Sequence, residues 1–146
     1  MYAVQNGLEY FAQKIEENIS DALGKVYFGR EHFEEEDLPI WSLFSTNGDL
    51  FSQGMNSCIL NDLVVIQLNA IFKPDDINNP LLSINSRLGE IVNLLKNLAL
   101  NDNTLGGNIF ELIISNDEVN SDWFSGSNET GDILTISIRF FFRILS

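Results

Sequence analysis

This chain is poor in cysteine, histidine and basic residues, and each scarcity excludes something. Cys58 is the only cysteine, so no intrachain disulfide can form. His32 is the only histidine, and three prolines are spread over 146 residues. No run of apolar residues is long enough to span a bilayer, so no membrane partner is expected. The segment Met1 to Gly7 has neither a basic start nor an apolar stretch. It does not read as a secretory signal, and the expectation is a soluble protein made in a cytoplasm. Eight Lys and Arg stand against 21 Asp and Glu, a formal net charge of −13. Ordinary nucleic-acid binding displaces counterions with basic groups, so it is disfavoured for the surface as a whole. Net charge of this size keeps a chain soluble. It also suits a surface that faces DNA without adhering to it, as a conduit wall or a DNA mimic does.

What is plentiful is apolar. Hydrophobic residues make up 45% of the chain and eleven are Phe, which will dominate core or interface area. A chain of this length suits one domain, residues 1–146, and buries roughly 68–70% of its unfolded surface without covalent staples.

The clearest pattern is at the end of the sequence, residues 132–146. Leu134, Ile136, Ile138, Phe140, Phe142 and Ile144 fall on one side of an extended chain. Thr135, Ser137, Arg139 and Arg143 fall on the other, interrupted by Phe141. Period two held for about a dozen residues predicts a strand with one buried face. A typical strand has about 5–6 residues, so this one needs neighbours from its own sheet or from another subunit.

Upstream, Leu8, Phe11, Ala12, Ile15, Ile19, Ala22 and Leu23 recur at helical spacing and predict an amphipathic helix over roughly 6–23, stopped by Gly24. Lys25–Phe28 is a short strand candidate. Residues 31–37 form an acidic loop, Pro39–Phe44 a second strand, and 45–57 a turn-rich stretch. Ile59–Lys73 is a strong strand, and its apolar centre Leu63–Ile66 suggests burial on both sides. Asn79 is positioned to cap a helix with Pro80 in its first turn, and Leu88, Ile91, Val92, Leu95, Leu98 and Ala99 continue that helix to about residue 100. Asn108–Ser115 is a further strand. A polar connection of about fifteen residues, long for a hairpin, leads to the last one. The order helix, three strands, helix, two strands predicts an α+β fold: a single layer of mixed β-sheet, about five strands, with two helices packed on one face.

No residue set announces catalysis. His32 lies in an acidic loop with no Ser or Cys nearby, where a solvated side chain outweighs a general base. Cys58 reads as a small core residue more readily than as a reactive thiol. Glu34, Glu35, Glu36 and Asp37 lack the spacing and glycine of a calcium loop and read as a solvated face. Asp75 and Asp76 suit a turn, and Gly106-Gly107 is too short to cradle phosphate. Asn18-Ile-Ser20 and Asn128-Glu-Thr130 match a glycosylation pattern by chance. No catalytic, cofactor-binding or metal-binding residue is assigned. Arg139 and Arg143 carry two readings: solvated cations beside a hydrophobic strand, or a subunit contact with Phe141 as anchor and the arginines meeting a neighbour's carboxylates. Trp123 and Phe124, in a polar loop, either fold back on the core or dock a partner.

The strand Leu60–Phe72, the leucine-rich helix Leu88–Leu98, the strand Ile109–Ser115, the closing strand Ile133–Leu145 and the early helix Leu8–Leu23 together resemble the tail-terminator, or tail-completion, proteins of long-tailed bacteriophages. The resemblance is one of topology, length and texture, and residues 30–57 are too irregular to place in it. It implies a non-enzymatic virion protein, assembled in the host cytoplasm, that needs no cofactor. Such proteins form a hexameric ring that ends the tail tube, stops its polymerisation and presents a docking surface for the head, with tube and head–tail connector proteins as partners. DNA passes through without specific binding, and an acidic wall is compatible with that. Two alternatives stand beside it: another neck, connector or tube-like component, and an acidic DNA-mimic binding protein.

Overall fold

The computed structural model describes residues 2–52, 61–76, 78–114, 125–126 and 133–145, with the side chains of 2, 3, 35, 46–52, 61, 62, 125, 126 and 145 excepted. In chain order the elements are α1 (Tyr2–Asn18), a 3-10 turn (Ser20–Ala22), β1 (Val26–Phe28), a second 3-10 turn (Glu35–Asp37), β2 (Ile40–Ser52), β3 (Asn61–Phe72), α2 (Pro80–Asn101), β4 (Glu111–Ile113), β5 (Ser125–Gly126) and β6 (Ile133–Leu145). The strands form one sheet in the order β1-β2-β3-β6-β4, with β5 also on β6. Among the described strands β1 and β2 are parallel and the other pairings are antiparallel. The fold is therefore α+β with a single mixed sheet.

β6 is paired with β3 along nearly its whole length, from Leu134 opposite Phe72 to Leu145 opposite Asn61. Its other edge takes β5 at Ile133 and Leu134 and β4 at Phe141 to Arg143. The long closing strand thus lies between strands of its own chain at both ends, while among the described residues no strand pairs with its second edge from Thr135 to Phe140.

Alternate residues of the central strands face the helices. Val64, Ile66, Leu68, Ala70 and Phe72 of β3 join Leu134, Ile136, Ile138, Phe140 and Phe142 of β6 in one core with Phe11 and Ile15 of α1 and Ile84, Ile91, Leu95 and Leu98 of α2. The rings of Phe11 and Phe140 sit 4.9 Å apart in a tilted arrangement, the geometry favoured by their quadrupoles. Gly7 permits the approach of α1 to the sheet. A Cβ there would lie 2.9 Å from Ile109 Cγ2 and 3.0 Å from Phe142 Cε2.

Several boundaries differ from the sequence reading. α1 ends at Asn18, whose side-chain amide donates to the Lys14 carbonyl at 2.7 Å. Ile19 is extended, and the chain continues as a 3-10 turn to Ala22 before Gly24 turns left-handed at φ +71°. β2 runs on to Ser52 through the residues read as turns. The irregularity they introduce is absorbed by a register shift, with 47–50 facing Val64 alone between the pairs Thr46–Val65 and Phe51–Leu63. Asn79 precedes α2 without capping it by its side chain; its Nδ2 donates to Asp76 Oδ2 at 2.8 Å. β4 is shorter than expected, since Ile109 and Phe110 still belong to the turn after α2. The centre of β3 is not buried on both sides: Val64 and Ile66 are buried, while Leu63 and Val65 are half-buried. Both described helices lie on one face, so among the described residues the other face of the sheet carries no helix.

Candidate functional site

The helix-free face of the sheet collects the functional candidates. Strand register orders its side chains into rows. Leu63, Arg143 and Glu111 form one row across β3, β6 and β4, and Val65, Phe141 and Ile113 form the next. Phe44, Gln67 and Arg139 follow, then Ser42, Asn69 and Ser137. Phe141 breaks the polar side of β6 because it has apolar neighbours on both flanking strands. Val65, Phe141 and Ile113 are each half-buried, an apolar band with no helix above it among the described residues.

The polar rows are tied together internally. Gln67 Nε2 donates to Asn69 Oδ1 and to Ser137 Oγ, each at 3.0 Å, and Ser137 Oγ donates to Asn69 Oδ1. Arg143 Nη1 lies 3.3 Å from Glu111 Oε2, so Arg143 already has a carboxylate from its own chain. Among the described residues its buried Nε has no hydrogen-bond partner. Arg139 is the one exposed side chain among those described in β6.

The stretch after β1 wraps one margin of this face. Ser42 Oγ donates to the Arg30 carbonyl at 2.9 Å, which satisfies a fully buried hydroxyl. The Arg30 guanidinium sits 4.5 Å from the Tyr27 ring, donates to the His32 carbonyl at 2.9 Å and pairs with Asp37 at 2.7 Å. A shallow hollow of about 330 Å³ lies between this margin and the sheet, lined by Arg30, Glu31, Phe44, Gln67, Asn69 and Ile71.

Asp37 closes the acidic loop on itself. The Glu34 backbone N–H, with the Arg30 and Lys25 charges, holds its carboxyl below the ordinary value despite some desolvation. The loop therefore spends one carboxylate on its own backbone. Among the described residues no group of three His, Cys, Asp or Glu side chains could hold a metal ion. His32 is exposed. Cys58, Trp123 and Phe124 lie outside the described residues.

Two polar constellations were not singled out in the sequence. Arg87 is buried inside the apolar stripe of α2. It pairs with Asp21 at 2.6 Å and Asp75 at 3.2 Å and lies over the Phe72 ring at 4.6 Å. The available signal was a charged residue at a core position of the helix, between Ile84 and Ile91. In the second, Tyr10 OH donates to Asp102, which also accepts the Gly106 N–H at 2.9 Å. These bonds, the Tyr10 hydroxyl first, lower the Asp102 pKa, with the Lys14 charge contributing. The first ties the body of α2 to the segments after α1 and before α2, and the second ties α1 to the end of α2, which is a structural task.

No family model matches this chain, and no curated protein matches it.

Proposed function

We propose that this protein is a non-enzymatic structural component of a phage or phage-like tail. In this reading it forms a ring, a hexamer by the resemblance, at the end of the tail tube, stops the tube's growth and presents the surface to which the head docks. The observation that carries the reading is the apolar band of Val65, Phe141 and Ile113 on the helix-free face. A half-buried aromatic flanked by aliphatic residues and an exposed arginine has the composition of an interface centre. A ring contact is heterologous, so this face would meet a different surface of the next protomer. The net charge of −13 suits a channel through which a polyanion slides without adhering.

Light scattering behind size exclusion tests the reading, first on the protein alone and then mixed with the tube and connector proteins encoded beside it. A discrete hexamer, or a ring formed only on the tube, supports it. A chain that ignores those partners and instead binds a DNA-processing enzyme moves the assignment to an acidic DNA mimic.

A further inference from the structure

We infer that the outer edge of β1 accepts a further strand from a partner, and that the occupant is a basic extended segment with apolar residues at alternate positions. β1 is a margin of the sheet, bound to β2 on one side. Alternate residues of this parallel ladder face the neighbour. The Lys25 carbonyl accepts the Trp41 N–H at 2.9 Å, and the Gly29 N–H donates to the Leu43 carbonyl at 2.8 Å. Val26 and Phe28 therefore turn their backbone N–H and C=O outward. Among the described residues no hydrogen bond reaches those outward groups. An open strand edge of this kind is a template for another chain. At the β4 margin the chain caps itself, since the Leu112 N–H donates to the Asn103 carbonyl at 2.7 Å.

The two sides of this edge differ in chemistry. Val26 and Phe28 stand opposite Trp41 and Leu43 in register, both core residues beneath the helices, so they point to the helix side. Phe28 ends the strand there with 53% of its surface exposed. Tyr27, between them, points to the helix-free side. The segment 30–37 runs along that side for the length of β1. It leaves the strand at Arg30, whose guanidinium lies over the Tyr27 ring. It returns to Asp37, whose carbonyl accepts from Lys25 Nζ at 3.5 Å. On the way it presents Glu31, Glu34 and Glu36, all exposed.

Charge selects the occupant. Asp37 is paired with Arg30 and Asp21 with Arg87, so neither attracts a partner. What remains beside the edge is Glu31, Glu34 and Glu36, none of them in a salt bridge among the described residues, against Lys25. A second copy of β1 laid on this edge would bring the same acidic segment with it, like charges beside like. A strand with Lys or Arg on its helix-free side meets these carboxylates instead. Its alternate residues then fall on the helix side, where apolar side chains cover Phe28. Main-chain hydrogen bonds supply affinity in such strand addition, and the alternating side chains supply specificity. The inference does not rest on the ring reading, which uses the face of the sheet and not its edge.

Titration with a short labelled peptide of alternating Lys and Val, followed by fluorescence anisotropy, tests it. The peptide should bind, and one of the same composition with its lysines and valines in two blocks should bind about tenfold more weakly. Glu31→Gln with Glu34→Gln and Glu36→Gln should weaken binding about fivefold, three exposed pairs being lost. Phe28→Pro removes one outward N–H and leaves the bonds to β2, so it should weaken binding well beyond Phe28→Ser, which loses the ring and keeps the donor. Circular dichroism checks that both variants fold. If Phe28→Pro does not, hydrogen exchange on the wild type decides: the Val26 and Phe28 amides should become protected when the peptide binds. Absent binding overturns the inference, and so does equal binding of the two peptides. Binding that leaves both amides unprotected also overturns it, as adhesion of a polycation to an acidic surface. Protection of the same amides by rising protein concentration alone would give the edge to a second copy and overturn the occupant.

Discussion

Arg87 Nη2 and Asp21 Oδ2 lie 2.6 Å apart, joining the middle of α2 to the turn that follows α1. Asp75 completes the clamp from the loop that leads into α2, and Phe72 supplies a ring beneath the guanidinium. Both carboxylates keep access to solvent while the guanidinium does not. The arrangement therefore fixes where α2 begins without stranding an acid in the core. Arg87→Met should keep the stem packing on Phe72 and lose the ion pairs, lowering stability by about 1–2 kcal/mol, a value discounted for screening of the exposed acids. Arg87→Ala should lose more, about 2–3 kcal/mol. Urea denaturation checks both. Equal stability of Arg87→Met and wild type would mean that the pairs contribute nothing net.

Two glycines in helix interiors should answer the same substitution with opposite signs. Gly89→Ala should stabilise the dilute monomer by about 1 kcal/mol through helix propensity. Gly7→Ala gains the same propensity but drives a methyl against Ile109 and Phe142 at 2.9 and 3.0 Å. Overpacking of this kind costs about 1–3 kcal/mol, so the net change should be destabilising. Thermal unfolding of the two variants side by side decides it. A stabilised Gly7→Ala would mean that α1 lies farther from the sheet.

The Tyr10–Asp102 bond sets a two-sided pH dependence. The Asp102 pKa is lowered in the fold, so its contribution is present above the unfolded value near about 4 and is lost as pH falls through the folded value. Asp37 and Asp76 are lowered as well and act in the same direction. The Tyr10 pKa is raised, first by its bond to Asp102. Its contribution is complete below about pH 10 and is lost as pH rises through the folded value. The stability difference between wild type and Tyr10→Phe should therefore hold through neutral pH and shrink at both extremes. A difference that stays flat from acid to alkali would contradict the bond.

Phe141→Glu should leave the protomer folded, because the residue is half-buried on a helix-free face and the new carboxylate can reach water. If that face closes a ring, the variant should have a lower oligomeric state by light scattering with an unchanged circular dichroism spectrum. A folded variant with wild-type assembly removes Phe141 from the contact.

The arginines of β6 should behave differently from each other. Arg143→Glu places two carboxylates opposite one another across β6 and β4 and should destabilise the protomer itself by about 0.2–1 kcal/mol. Arg139→Glu changes an exposed position and should weaken assembly more at low salt than at high salt if the residue faces a neighbour's acids. Assembly indifferent to salt in both proteins would exclude that pairing.

The elements were legible because their signals are local. The alternation of β6 and the three-and-four spacing of α1 and α2 depend on residues a few positions apart, whereas the stop expected at Gly24 came six residues earlier, at Asn18. Less legible was anything set by a distant partner. Leu63 and Val65 look like core residues because Leu and Val suit a strand on either face, and only the placement of both helices leaves them half-buried. Asn79 has the chemistry of a cap, but its side chain makes no cap bond and donates to Asp76 in the preceding turn. The turn residues after Phe44 became strand because pairing with β3 carries the backbone past them.

The sequence by itself determined the α+β class, the alternating faces of β6 and a net charge of −13, since period, composition and charge need no fold to be counted. Only the tertiary structure decided that β6 lies between strands of its own chain, that Glu111 stands opposite Arg143 and that Asp21 and Asp75 meet at Arg87. Those contacts join residues far apart in the chain. Strand register and helix docking set them, and both follow from the packing of the whole core rather than from any local pattern.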